Sequence, residues 1–159
     1  MSTELAVSPL DPETFARYGT VLEQPARAHD AEGPGWRWWA ETASLAATGS
    51  AYGIGFLDLS PAPLRFDWAE RHERSPEMIV ALAGSCLVYV SAAAPEHEAP
   101  GTFEVFRLGS GQGVILAPGV WHGAPLAVDG PSAAIVLLRE RTGIEDTVIV
   151  RFGEVPIAA

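Results

Sequence analysis

Glycine and proline cut this chain into short pieces. Sixteen glycines and thirteen prolines are spread over 159 residues. Proline cannot donate to a sheet ladder, and glycine weakens a helix interior. What remains between them is about ten short runs that are apolar or alternate apolar with polar, among them Gly19 to Glu23, Ala51 to Leu59, Ser85 to Ala93 and Ala133 to Arg139. Such a pattern predicts an all-β fold, a barrel or sandwich of short antiparallel strands. One stretch reads as a short helix near the N-terminus, Asp11 to Gly19: Asp11 is a good N-cap, Pro12 suits the first helical position, and Gly19 supplies a stop. The length is that of one domain, 1–159, large enough to bury a core.

The most informative stretch runs from Phe66 to Gly84, FDWAERHERSPEMIVALAG. A strand sends alternate side chains to opposite faces. Phe66, Trp68, Glu70 and His72 then share one face, and Asp67, Ala69, Arg71 and Glu73 the other, which is mostly charged. Ser75-Pro76 ends the strand, and Glu77 opens the apolar run that follows. A carboxylate just past such a turn can point back at Glu70 and His72. About fifty residues on, the stretch GSGQGVILAPGVWHGAPL ends a short strand, Val114 to Ala117, in a Pro118-Gly119 turn that delivers Trp121 and His122. Glu70, His72, Glu77 and His122 are the candidate ligands of a metal ion. Two imidazoles and two carboxylates suit Mn, Fe, Ni, Co or Zn and leave one or two positions for substrate. The alternative is a metal-free pocket in which Glu70–His72 and Glu77–His122 are polar pairs.

Composition narrows the function classes. Net charge is −10, and all ten basic residues are arginine. Nucleic-acid binding, which needs a concentrated basic face, is not expected. The absence of lysine excludes Schiff-base catalysis and a P-loop lysine. Recognition of an acidic ligand must use arginine, whose fork binds two carboxylate oxygens, or a metal. Cys86 is the only cysteine, so no internal disulfide forms; its apolar neighbours predict a buried structural thiol. No apolar run approaches the length of a membrane span, and the N-terminus carries no secretory pattern; the expected location is cytoplasmic. His29 and His97 read as surface loop residues. Trp36 and Trp38 alternate on a strand as a barrel wall, a dimer contact or a pocket lining.

In these residues the chain resembles the cupin superfamily. The first cupin motif is written H-x-H, three or four residues, Glu, six residues, Gly. Here it reads Glu70-x-His72, four residues, Glu77, six residues, Gly84, with the first histidine replaced. Gly111, Gly119 and His122 fit the second motif, although Pro118 sits one place late and Leu126 stands for the usual closing Asn. The segment Phe15 to Glu23, the string ERH, and GQGV followed by GVWH and PL narrow the resemblance to the ureidoglycolate lyase family, from about Pro9 to about Arg139. Glu77 stands where that family usually has Gln, Gly123 where it often has a second His, and Val136-Leu137-Leu138-Arg139 where it has VVDR.

The resemblance implies a double-stranded β-helix jelly roll with a central pocket. It further implies a homodimer in purine catabolism that splits ureidoglycolate into glyoxylate and urea at a divalent metal (Mn, Ni, Zn or Fe). The expected catalytic residues are Glu77 or Glu70 as base and His122 as acid. Arg107, or Arg65, is expected to clamp the substrate carboxylate, with Trp68 and Phe66 lining the pocket. The alternatives are a lyase, isomerase or oxygenase acting on another small acid, and a binding protein without turnover.

Overall fold

The computed structural model describes residues 4–46, 48–95 and 99–158. Its central element is strand β7, Glu77–Ser91. The sequence reads as two strands here, but the chain runs through as one fifteen-residue strand bent at Gly84. Gly84 has φ 69°, and a Cβ there would meet the Pro131 carbonyl at 2.7 Å. Only glycine takes that backbone without strain. β7 pairs with β9 (Gly113–Leu116) through its first residues, with β8 (Glu104–Leu108) and β10 (Trp121–His122) through its last, and with β11 (Leu126–Arg139) along most of its length. Partners on every side explain why its sequence is apolar almost without a break.

The sheet closes on itself. From β10 it passes to β6 (Arg65–Arg71), β12 (Val148–Ala158), β1 (Leu5–Pro9), β8 and β7, and β7 returns to β10. This ring is a β-barrel, which the sequence pattern anticipates. β2 (Gly19–Leu22) extends it through β9, and β5 (Tyr52–Leu59) through β11. β1 and a short helix α2, Thr142–Glu145, have no signal strong enough to read in advance. The expected helix is there but is a single turn, α1, Pro12–Phe15, whose N-cap Asp11 accepts from the backbone N–H groups of Glu13 and Thr14. β3 (Ala31–Gly33) and β4 (Trp36–Trp38) form a separate hairpin. Trp38 is exposed on it and forms neither barrel wall nor pocket.

Alternation along β7 and β8 feeds two cores. Cys86, Val88 and Val90 face one with Phe15, Tyr18 and Phe106. Leu87 and Tyr89 face the other with Phe66, Phe103 and Trp121. Burial pushes the Cys86 thiol up to about 11, as suits an inert structural cysteine. In the second core Phe66 stacks on Tyr89 with ring centroids 3.8 Å apart, and Phe103 meets both rings. Among the described residues β5 has no strand partner on its outer edge, and it leaves Ile54 and Phe56 exposed, at 75% and 66%. Among the described residues no helix is long and apolar enough to cross a membrane.

Candidate metal centre

β6 and β10 are antiparallel neighbours with Glu70 directly opposite His122. Directly opposed residues project to the same face, so this register alone brings a carboxylate and an imidazole together. His72 follows at the end of β6, and the turn after it leads straight to Glu77 at the head of β7. The Gly119 N–H donates to the His72 carbonyl at 2.7 Å, tying the Pro118-Gly119 turn, which precedes His122, to the same place. One ligand atom from each of Glu70, His72 and His122 lies within 4.8 Å of the others. Glu77 Oε2 is 3.1 Å from His72 Nε2 and 3.2 Å from His122 Nε2. All four expected ligands converge.

The outer nitrogens decide what the inner ones can do. His72 Nδ1 donates to the Asp146 carbonyl at 3.0 Å, and His122 Nδ1 donates to the Val120 carbonyl at 2.9 Å. A carbonyl can only accept, so each neutral ring carries its proton on Nδ1 and turns a bare Nε2 lone pair inward. That is the tautomer a metal requires. His72 Nε2 is buried and, although close to Glu77, lacks the alignment of a hydrogen bond. An inward-facing orphan nitrogen beside two carboxylates fits a divalent cation. Without one, protons hold the cluster. Burial opposes ionisation of Glu77, but the charge and hydrogen bond of His122, with help from His72, bring its carboxyl down to about 2. Burial likewise lowers His122, and the Glu77 carboxylate more than offsets this, raising it above its ordinary value.

Glu70, His72 and Glu77 open on a cavity of about 250 Å3 whose other walls are mostly apolar: Gly55, Phe56 and Leu57 on β5, Val136 and Leu138 on β11. Gly123, Gly143 and Thr147 also line it. A Cβ on Gly123 would overlap the Tyr89 ring and hydroxyl. Tyr89, whose hydroxyl donates to the Trp68 carbonyl at 3.0 Å, thus fills the space that a side chain at position 123 would need.

The expected substrate-binding residues lie elsewhere. Phe66 is packed in the aromatic core, since β6 does not keep a strict alternation there: both Phe66 and Ala69 turn inward, where the β12 register jumps between Arg151 and Val155. Trp68 is half-buried and does not line the cavity. Arg107 pairs with Asp129 on the surface, outside the cavity lining, and Arg65 pairs with Glu154. No arginine lines the cavity among the described residues. Arg71, read as part of an outer charged face, is buried over the Trp121 ring. His29 pairs with Glu32, and His97 lies outside the described residues. Asp146 and the β5–β11 wall were not readable beforehand, because both reach the site from distant parts of the chain.

Barrel and centre together define a cupin with a two-histidine, two-carboxylate site. In fold it is similar to a dTDP sugar isomerase from Desulfovibrio desulfuricans, at 17% identity and a TM-score of 0.54 over 86% of each chain. The ureidoglycolate lyase family profile matches residues 2–156, and this chain belongs to that enzyme family. Among its relatives, a ureidoglycolate lyase of Pseudomonas putida is 26% identical over 144 residues, covering 87% of this chain and 86% of its own. Ureidoglycolate lyase 2 of Rhizobium meliloti is 29% identical over 156 residues, covering 87% and 88%.

Proposed function

We propose that this protein is a ureidoglycolate lyase that holds one divalent metal ion on Glu70, His72, Glu77 and His122 and releases glyoxylate and urea. The observation that supports it most directly is the pair of imidazoles whose Nδ1 atoms are tied to carbonyls while both Nε2 atoms meet Glu77. The cavity is small beside the roughly 300–1,000 Å3 of drug-sized sites, which favours a substrate of few atoms.

A divalent cation, when bound, supplies the positive charge and Lewis acidity that the lining lacks, neutralising the substrate carboxylate and lowering the hydroxyl pKa. Glu77, wedged between the imidazoles, and His122, whose Nδ1 is tied to a carbonyl and whose Nε2 points inward, serve as holders. Glu70 is the less buried carboxylate and faces the cavity, so proton transfer falls to it, through the one of its two oxygens that the cation would not take. The hydroxyl and the ureido nitrogen sit on one carbon. Glu70 takes the hydroxyl proton as the C=O bond forms and the C–N bond breaks, then returns it to the departing nitrogen. No net proton is consumed. The apolar wall of Leu57, Val136 and Leu138 limits water around the developing carbonyl. The exposed apolar edge at Ile54 and Phe56 supports a homodimer of single-domain subunits, and the family supports a place in purine catabolism in the cytoplasm.

The test is release of glyoxylate and urea from racemic ureidoglycolate, with Mn2+, Ni2+, Zn2+ or Fe2+ added singly. A rate above the spontaneous breakdown with at least one metal is expected. A rate equal to the blank with all of them, while another small hydroxy acid is consumed, overturns the substrate.

A further inference from the structure

The two ligand imidazoles are oriented by different means. His122 is served by the Val120 carbonyl, two residues earlier in the same turn. His72 depends on the carbonyl of Asp146, 74 residues away, in the strap between α2 and β12. A distant acceptor orients a ring only if something fixes the distance. Asp146 does this with its own side chain. Its Oδ1 accepts from the Glu73 N–H at 3.1 Å and its Oδ2 from the Arg74 N–H at 2.8 Å. Those two amides lie in the turn between His72 and Glu77, two of the four ligands.

We propose that Asp146 is the positioning residue of the metal centre: its carboxylate fixes the turn that spaces His72 from Glu77, and its carbonyl fixes the tautomer of the His72 ring. The strap is itself braced. The Asp146 N–H and the Thr147 hydroxyl both donate to the Thr142 carbonyl at 2.9 Å, the Thr142 hydroxyl donates to the Arg139 carbonyl at 2.7 Å, and Glu145 pairs with Arg139 and Arg141. The Thr147 oxygen, 3.3 Å from His72 Nδ1, is a second acceptor on the same side of the ring. Gly143 and Thr147 also line the cavity, so the strap joins the substrate wall to the ligand shell. Groups that orient metal-bound imidazoles this way typically change metal affinity 10–100-fold when removed.

The inference rests on the metal reading for its effect on affinity, but its effect on the ring can be read without metal. Three variants are compared with the unmodified protein. Asp146→Ala removes both acceptors, Asp146→Asn keeps one, and Glu145→Ala loosens the strap without touching either amide. Zn2+ affinity is measured by competition with a chelating dye, and the His72 tautomer by 15N shifts of the metal-free protein at about pH 9, where an ordinary imidazole is neutral. Asp146→Ala is expected to weaken Zn2+ binding about 10–100-fold and to mix the two tautomers. Asp146→Asn should lose less than about tenfold, and Glu145→Ala less than about twofold, since Glu145 is exposed and its carboxylate reaches neither turn amide. Equal losses in Asp146→Ala and Glu145→Ala would overturn the proposal. So would an unchanged, pure Nδ1–H ring in both Asp146 variants. If the unmodified protein binds no Zn2+, the metal reading falls while the ring shifts still decide the role of Asp146; if the alanine variant does not fold, the asparagine variant carries the comparison.

Discussion

Arg71 ends β6 and His72 follows it, both almost fully buried, at 2% and 4% exposure, and they look in opposite directions. Arg71 lies 4.7 Å over the Trp121 ring, donates to the Ala94 and Pro95 carbonyls, and meets the half-exposed Glu73 carboxylate. Every partner suits a permanent cation, and none of them can take its place as one. His72 gives its outer nitrogen to a carbonyl and leaves its inner nitrogen to Glu77. Its surroundings suit a cation that arrives from outside. Burial alone therefore does not mark a ligand. The difference lies in what the buried group turns to its partners: Arg71 brings N–H donors and its own charge, whereas His72 turns inward a lone pair that only a cation or a proton can take.

The comparison breaks most sharply at the centre itself. His122→Ala removes a ligand and leaves Glu77 with one imidazole; it should weaken Zn2+ binding by more than about 100-fold, beyond the effect of an orienting group. Isothermal titration that gives an affinity within tenfold of the unmodified protein would remove His122 from the site. Arg71→Ala should act on the other property. Losing a stacked guanidinium with charge-assisted bonds costs about 3 kcal/mol, which lowers Tm by roughly 6–12 °C at this size. Zn2+ affinity should stay within about threefold. A large loss of affinity with little loss of stability would mean that the two faces of β6 are not independent.

Acid sharpens the same contrast. Glu77, held near 2, binds its proton less tightly in the folded chain than its ordinary 4.5; it stabilises the fold above 4.5 and loses that contribution as pH falls towards 2. His122 is raised above 6.5, so it stabilises the metal-free fold below 6.5 and loses that as pH rises through its raised value. These are two sides of one ion pair and count once. Metal binding runs the other way, because it needs His122 deprotonated. The Tm gain on adding Zn2+ should thus grow from pH 5 to pH 8, with affinity rising about tenfold per pH unit while one proton is displaced. A gain independent of pH would exclude His122 as a ligand. Arg107→Ala closes the series with the smallest effect. Its pair with Asp129 is exposed and outside the cavity, so kcat/KM should change less than about twofold. A tenfold loss of kcat/KM would restore the carboxylate clamp to this arginine.

The parts of the molecule legible in the sequence were those written locally. Glu70, His72 and Glu77 lie within one strand and turn, and His122 follows the Pro118-Gly119 turn, so spacing was enough to gather them. The barrel followed from the rhythm of short strands. Alternation misplaces Arg71 because it assumes that one face of a strand is wet, whereas β6 is covered on both by the time it reaches the site. The sequence of β7 reads as two strands because Gly84 carries the mark of a turn but here makes a bend. Asp146 gives no local sign of this role, since the partners of its carboxylate and carbonyl are more than seventy residues away.

Tyr89 and Gly123 carry a consequence for how this chain changes over time. The Tyr89 ring stands where any side chain at position 123 would have to go. A mutation that adds even a methyl group at 123 therefore arrives in a molecule with no room for it, and the step is penalised before any benefit at the cavity can be felt. Shrinking Tyr89 first leaves a void beside Phe66 and Phe103, which is costly but survivable. The route to a histidine at position 123 thus passes through residue 89, and lineages that differ at one of these positions should differ at both.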